Sequence, residues 1–217
     1  VEKQRVEKRQ PVLVLASASP ARRALLIAAG IDPEIVVSGV DESTVNATAP
    51  DTLCAMLARL KAHAVAERLR RTEGHQDQTF VLGCDSVLAF DGQILGKPDS
   101  PDEAIKRWQA MRGQSGVLHT GHCLIDLESG QSSERVGSTT VHFAELTDQE
   151  IEAYVGTGEP LWVAGAFTID GLGGPFVEGI EGDHTNVVGL SLPLLRHLLN
   201  DFGCSVTDLW RRRISAS

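Results

Sequence analysis

The chain has 217 residues, 42% of them apolar and 23% charged, with a formal net charge of −9. That length can bury a substantial core, and that balance excludes a wholly disordered chain. The acidity argues against a nucleic-acid polymer or an anionic membrane as partner. It leaves room for a small polyanion in a local basic pocket, with a divalent cation easing the conflict of charge. Apolar runs fall far short of a bilayer-spanning length. Cys54, Cys84, Cys123 and Cys204 are scattered with no CxxC pair, as expected of free thiols in a reducing, cytoplasmic setting.

The charged opening, residues 1–10, reads as an exposed extension and 11–217 as a single domain of two intimately packed lobes. "PVLVLAS" (11–17) predicts a buried strand, and Ser19-Pro20 then supplies an N-cap and a first-turn proline for a helix that ends at Gly30. Residues 34–40 predict a second strand, followed by the acidic turn Asp41-Glu42-Ser43. A long amphipathic helix is expected from about Pro50 to Arg71. Asp91-Gly92 marks a hairpin between two short strands in 80–98. A helix over 101–112, strands over 117–127 and 134–143, a capped helix from Thr147, glycine-rich loops with short strands over 156–182 and a final helix complete the chain. Helices interleaved with strands and a hairpin predict an α/β fold with a mixed, twisted sheet flanked by helices. The glycine-rich stretch is placed along a cleft between the lobes of an elongated molecule.

Two arginines stand at the front of the first predicted helix, in "SASPARR" (17–23). A helix N-terminus already carries partial positive charge, so cations there are badly placed unless an anion sits in the turn. Ser17 and Ser19 offer hydroxyls, Arg22 a forked pair of donors, and Arg23 either shares this role or turns to water. The plain alternative is a capped helix with exposed arginines. Asp85 follows an apolar strand in "LGCDSV" and reads as a carboxylate at a strand end, suited to a metal or to a proton taken from water. Asp41 and Glu42, if brought near it, would complete an oxygen ligand set for Mg2+ or Mn2+. Lys61 and Lys97 are point charges suited to phosphate, although exposure to solvent is the commoner fate of a lysine.

In the glycine-rich stretch, Phe167 is placed to stack on a base and Asp170 to accept its hydrogen bonds, with Glu181, Asp183 and Asn186 as further polar contacts. Each of these also reads as part of a tight turn. "HTGHC" (119–123) raises zinc, but strand alternation puts His119 and His122 on opposite faces. The tryptophans Trp108, Trp162 and Trp210 read as packing residues. No GxxxxGK[ST] loop occurs.

Taken in order, "LASASPARRALL", "VDES", "ARLKAHAVA", "VLGCDSVLAFDGQILGKP", "YVGTGEPLWVAGAF" and "GIEGDHTNVVGLSLP" resemble the Maf family over about residues 12–195. The resemblance implies a cytoplasmic, homodimeric nucleoside triphosphate pyrophosphatase that uses a divalent cation and converts selected or non-standard triphosphates to the monophosphate and diphosphate. By the same resemblance Ser17, Arg22 and Lys97 are phosphate-site residues, Asp85 the proton acceptor, and Glu42 and Lys61 supporting catalytic positions. Two departures leave base preference open: Ala21 stands where many relatives have arginine, and Asp170 where the pyrimidine-selective subgroup commonly has glutamine. Two other classes compete with the enzyme. One is a nucleotide-binding regulator of cell division without significant turnover, and the other is a non-enzymatic interaction protein.

Overall fold

The computed structural model describes residues 10–45, 47–72 and 78–210. The opening stretch 1–9 and the basic 211–213 therefore lie outside the described residues. Strand β1 (Val12–Leu15) is buried from Leu13 onward and lies parallel both to β2 (Glu34–Ile35) and to the start of β3 (Thr79–Phe90). Helix α1 (Pro20–Ala28) begins where expected, with Ser19 capping the Arg22 amide. The second strand is much shorter than 34–40. Beyond Ile35 only the Val36 amide still reaches β1, at the Leu15 carbonyl where that four-residue strand ends, and Val37 is exposed.

Helix α2 (Pro50–Arg70) is followed by the largest departure from expectation. In place of two short strands, β3 runs 12 residues before Asp91 and Gly92, with φ of 46° and 72°, turn the chain into β4 (Gln93–Leu95). Successive positive φ values define the turn whose twist suits a two-residue hairpin. After α3 (Pro101–Met111), strands β5 (Ser115–Asp126) and β6 (Ser132–Phe143) are equally long, about 40 Å each at the usual rise. Helix α4 (Asp148–Gly156) carries the expected capping box on Thr147 and Glu150, and β7 (Val177–Glu181) closes the sheet. A short helix that the sequence does not announce, α5 (His184–Val188), precedes α6 (Leu192–Asp201).

The strands form one mixed seven-stranded sheet in the order β2-β1-β3-β5-β6-β7, with β4 on the far half of β3. Strand alternation divides the core. Leu13, Leu15, Phe80, Leu82 and Leu124 face α1 and α6, while Val14, Ala16, Val81, Cys123 and Ile125 face α2. A third cluster sits around the fully buried Trp108, where α3 and α4 pack on the other end of the sheet through Leu88, Leu118 and Phe143. Trp162 and Trp210, expected to pack, are instead 76% and 50% exposed.

One topological feature positions the site. On one side, β3 pairs with β1 only as far as Leu82, and with β4 only from Leu88. On the other side it pairs with β5 without interruption, Asp85 opposite Gly121. Residues 83–87 thus border a gap in the sheet. The chain leaving β1 and the chain leaving β4 flank it. A sheet opens to ligands where its strand order breaks in this way.

Candidate active site

Asp85 stands at the centre of that gap, mid-strand in β3 and not at a strand end as its local sequence suggests. It is buried, and its Oδ1 receives Lys61 Nζ at 2.5 Å. The same ammonium lies 2.8 Å from Glu42 Oε1. Glycine brings them together. A Cβ on Gly83 would fall 2.2 Å from the Ala58 carbonyl oxygen, and one on Gly121 would fall 2.3 Å from that of Cys54. Bare backbone at both positions lets α2 lie directly on β3 and β5, which sets Lys61 against Asp85.

The charges shape one another. Burial raises the pKa of Asp85, and the positive charges of Lys61 and Arg22 offset only part of that rise. Burial also acts on Glu42, but there the Lys61 hydrogen bond and charge, with Lys97 and Arg22, prevail and hold its carboxyl below the ordinary range. Two carboxylates that share one ammonium are thus displaced in opposite directions, Asp85 upward and Glu42 downward.

Arg22 approaches from the other face of the sheet. Its Nε donates to the Gly189 carbonyl at 2.7 Å, Nη1 to Ser17 Oγ at 3.2 Å and to the Cys84 carbonyl at 2.9 Å, and Nη2 to Ser86 Oγ at 3.1 Å. All four acceptors are neutral, so the guanidinium is held in place without an ion pair among the described residues, and its charge acts on Asp85 and Glu42 only from a distance. Ser17 Oγ also accepts the Ser19 amide at 3.2 Å, which leaves its own proton to point elsewhere. Ser19 spends its oxygen on the helix cap. Arg23 turns outward at the rim of a shallow apolar recess with Ala24, Ile27 and Ile35. Lys97 is exposed where the chain leaves β4, and its charge reaches Glu42.

Other expected site residues lie elsewhere. Phe167 is no stacking platform. It is 4% exposed, with its ring edge-on to Phe143 at a centroid distance of 5.0 Å, because the core around Trp108 claims it. Asn186 is fully buried and directs its amide to the Leu118 carbonyl and Thr139 Oγ1. Asp183 caps α5 by accepting the amide and hydroxyl of Thr185. Glu181 is exposed and pairs with His142 at 3.1 Å. Asp170 is exposed in a loop fastened by Glu159, which accepts the Thr168 hydroxyl and the amides of Leu172 and Gly173.

Asp41 does not join Glu42 and Asp85. Its Oδ1 caps the following turn through the Ser43 amide and hydroxyl at 3.0 and 2.7 Å. Among the described residues no three His, Cys, Asp or Glu side chains form a metal cage. Lys61 occupies Glu42 Oε1 and Asp85 Oδ1, and the second oxygen of each makes no hydrogen bond among the described residues. This donor set does not fit a protein-only cage. It fits a hard cation that takes most of its oxygens from phosphates and water and one or two from carboxylates.

Ser86 is the residue that sequence reasoning passed over. Its only signal was adjacency to Asp85, and strand alternation sends the two to opposite faces. Gly189 contributes a backbone carbonyl, which no side-chain pattern announces.

The molecule is an α/β protein with a gap in its mixed sheet, lined by a buried lysine–carboxylate pair and by an arginine that makes no ion pair among the described residues, an arrangement chemically suited to an anion. Comparison with known proteins narrows this. The profile described as Maf-like protein matches residues 12–202. A nucleoside triphosphate pyrophosphatase of Salinispora tropica is 65% identical over 204 residues, covering 94% of this chain and 89% of that protein. Proteins of the same description from Streptomyces coelicolor and Microcystis aeruginosa are 57% and 52% identical over 198 residues, each covering 91% of this chain and 94% and 98% of their own lengths. The chain belongs to the Maf family.

Proposed function

We propose that this chain is a nucleoside triphosphate pyrophosphatase that hydrolyses the α–β phosphoanhydride of ribo- or deoxynucleoside triphosphates to the monophosphate and diphosphate. The observation that carries the reading is the Lys61 ammonium 2.5 Å from buried Asp85 and 2.8 Å from Glu42, beside an Arg22 that makes no ion pair among the described residues. Relatives 65% and 57% identical bear that activity in their names.

In the proposed reaction Arg22, Ser17 and Lys97 hold the triphosphate in the gap, with Arg23 at the outer rim. A water beside Asp85 attacks the α-phosphorus in line with the bond to the α–β bridging oxygen. Asp85 takes the water's proton, for which its raised pKa suits it. That P–O bond breaks and diphosphate leaves with the electron pair, its charge met by the cations. Lys61 is placed to steady charge on both sides of the transfer, and preorganised charge of this kind is commonly the largest catalytic contribution.

Three cations face two carboxylates here, too little positive charge for a bound triphosphate, so a divalent cation belongs to the proposal. Mg2+ or Mn2+ would be held by the outer oxygens of Glu42 and Asp85 and would supply charge neutralisation on the phosphates. The same reading takes the working enzyme to be a cytoplasmic homodimer. No described helix is long and apolar enough to cross a membrane.

The test is product analysis with ordinary, deoxy, methylated and deaminated triphosphates and added metal. Monophosphate plus diphosphate is the expected outcome. Release of inorganic phosphate with nucleoside diphosphate rejects the α-phosphorus assignment, and binding without turnover favours a nucleotide-sensing regulator.

A further inference from the structure

Behind Arg22 runs a file of hydroxyls in which every proton has one place to go. Arg22 Nη2 donates to Ser86 Oγ at 3.1 Å. Ser86 Oγ lies 2.9 Å from Thr120 Oγ1, its cross-strand partner on β5. Thr120 Oγ1 donates to the Asn186 carbonyl at 3.0 Å. Guanidinium has no acceptor and that carbonyl has no proton. The direction is therefore forced: Arg22 to Ser86, Ser86 to Thr120, Thr120 to Asn186. Thr120 is completely buried, so no water replaces it.

The far end of the file returns to the same arginine. The Asn186 carbonyl that receives Thr120 also receives the Gly189 amide at 3.1 Å, and the Gly189 carbonyl takes Arg22 Nε at 2.7 Å. Thr120 thus braces both supports of the guanidinium, the Ser86 hydroxyl on Nη2 and the α5 exit on Nε. Donation onward by Ser86 also makes it a better acceptor for Arg22, since hydrogen bonds in series polarise one another.

We propose that Thr120, which touches neither phosphate nor water in the reaction, is a positioning residue that orients Arg22 toward the triphosphate through Ser86 and Asn186. This rests on the reading of Arg22 as a phosphate ligand. Thr120→Val keeps the shape and removes both bonds. If Arg22 grips substrate and transition state alike, KM for the triphosphate rises about tenfold with kcat little changed. A purely structural loss would instead lower the active fraction, and hence kcat, at constant KM.

The test combines Thr120→Val with Ser86→Ala in a double-mutant cycle on kcat and KM, with Thr120→Ser as the rescue and thermal unfolding of each variant alongside. The expected result is a raised KM in each single variant, a double variant scarcely worse than either, and near-native KM with serine. An unchanged KM in Thr120→Val, additive effects in the cycle, or no rescue by serine would each overturn the proposal. Should the valine variant not fold, Thr120→Ala takes its place with the same expectations. Wild-type protein that releases no diphosphate at all would sink the pyrophosphatase reading, and that result is distinct from any change confined to the variants.

Discussion

Arg22 makes no ion pair among the described residues, while Lys61 makes two. The two cations are therefore placed differently: Lys61 is bound directly to both carboxylates, while Arg22 acts on them only through its charge and, on the proposed reading, meets the incoming anion. Asp85 is the group whose loss should matter most. Asp85→Asn keeps the size and removes the proposed proton acceptor, so turnover should fall at least about a hundredfold with the circular dichroism spectrum unchanged. Near-native turnover in a folded Asp85→Asn protein would remove it from the mechanism. Its local sequence, a carboxylate in an apolar run beside glycine, marked it for attention, as Ser19-Pro20 marked the start of α1. Nothing local showed that Phe167 would be drawn into the core or that Asp41 would spend its oxygen on Ser43. Each outcome depends on what lies nearest in space.

Among elements, the contact of α2 with β3 and β5 is the decisive one. Gly83→Ala would place a methyl 2.2 Å from the Ala58 carbonyl oxygen and 2.8 Å from the Ala62 amide nitrogen. Backbone on both sides cannot yield as a side-chain tip would, so α2 must lift and carry Lys61 away from Asp85. Urea unfolding should show a loss of about 3 kcal/mol, and activity should fall by more than that instability explains. A second device ties β5 to α6. His122 is 1% exposed, and its Nε2 accepts the Ser191 amide at 2.8 Å. Burial first, then the charge of Arg22, pushes its pKa down to about 4 from 6.5. The unfolded chain takes up this proton below about pH 6.5 and the native chain only near 4. Stability from this histidine is thus full above that window and lost as pH falls through it, about 3 kcal/mol in all. His122→Asn should flatten the rise in unfolding free energy between pH 4 and 6.5, and an unchanged slope would show that other groups control acid stability. Helix periodicity and capping made α1, α2, α3, α4 and α6 legible. The short β2 and the long β3 were not, because strand length is set by the partner strand.

Across the whole molecule, a net charge of −9 coexists with a site where cations outnumber carboxylates. On the proposed reading the protein as a whole repels polyanions while the gap in its sheet attracts one. None of its four cysteines is in a disulfide and all are buried, and burial pushes the Cys54, Cys84 and Cys123 thiols up to about 12. Native protein should therefore react sluggishly with a thiol reagent at neutral pH and titrate four thiols once unfolded in guanidinium. A fast-reacting thiol in the native state would contradict this packing.

By itself the sequence determined which groups exist and which local structures they favour, since caps, turns and hydrophobic periods act over a few neighbouring residues. It also carried the ordered motifs that resemble the Maf family. Only the tertiary structure decided that Arg22, Glu42, Lys61, Asp85 and Lys97 line or flank one gap, and that Asp41, Phe167 and Asn186 do other work. The physical reason is that the gap exists where β1 ends and β4 has yet to begin. That place is created by pairing between distant strands and has no signature in the residues beside it.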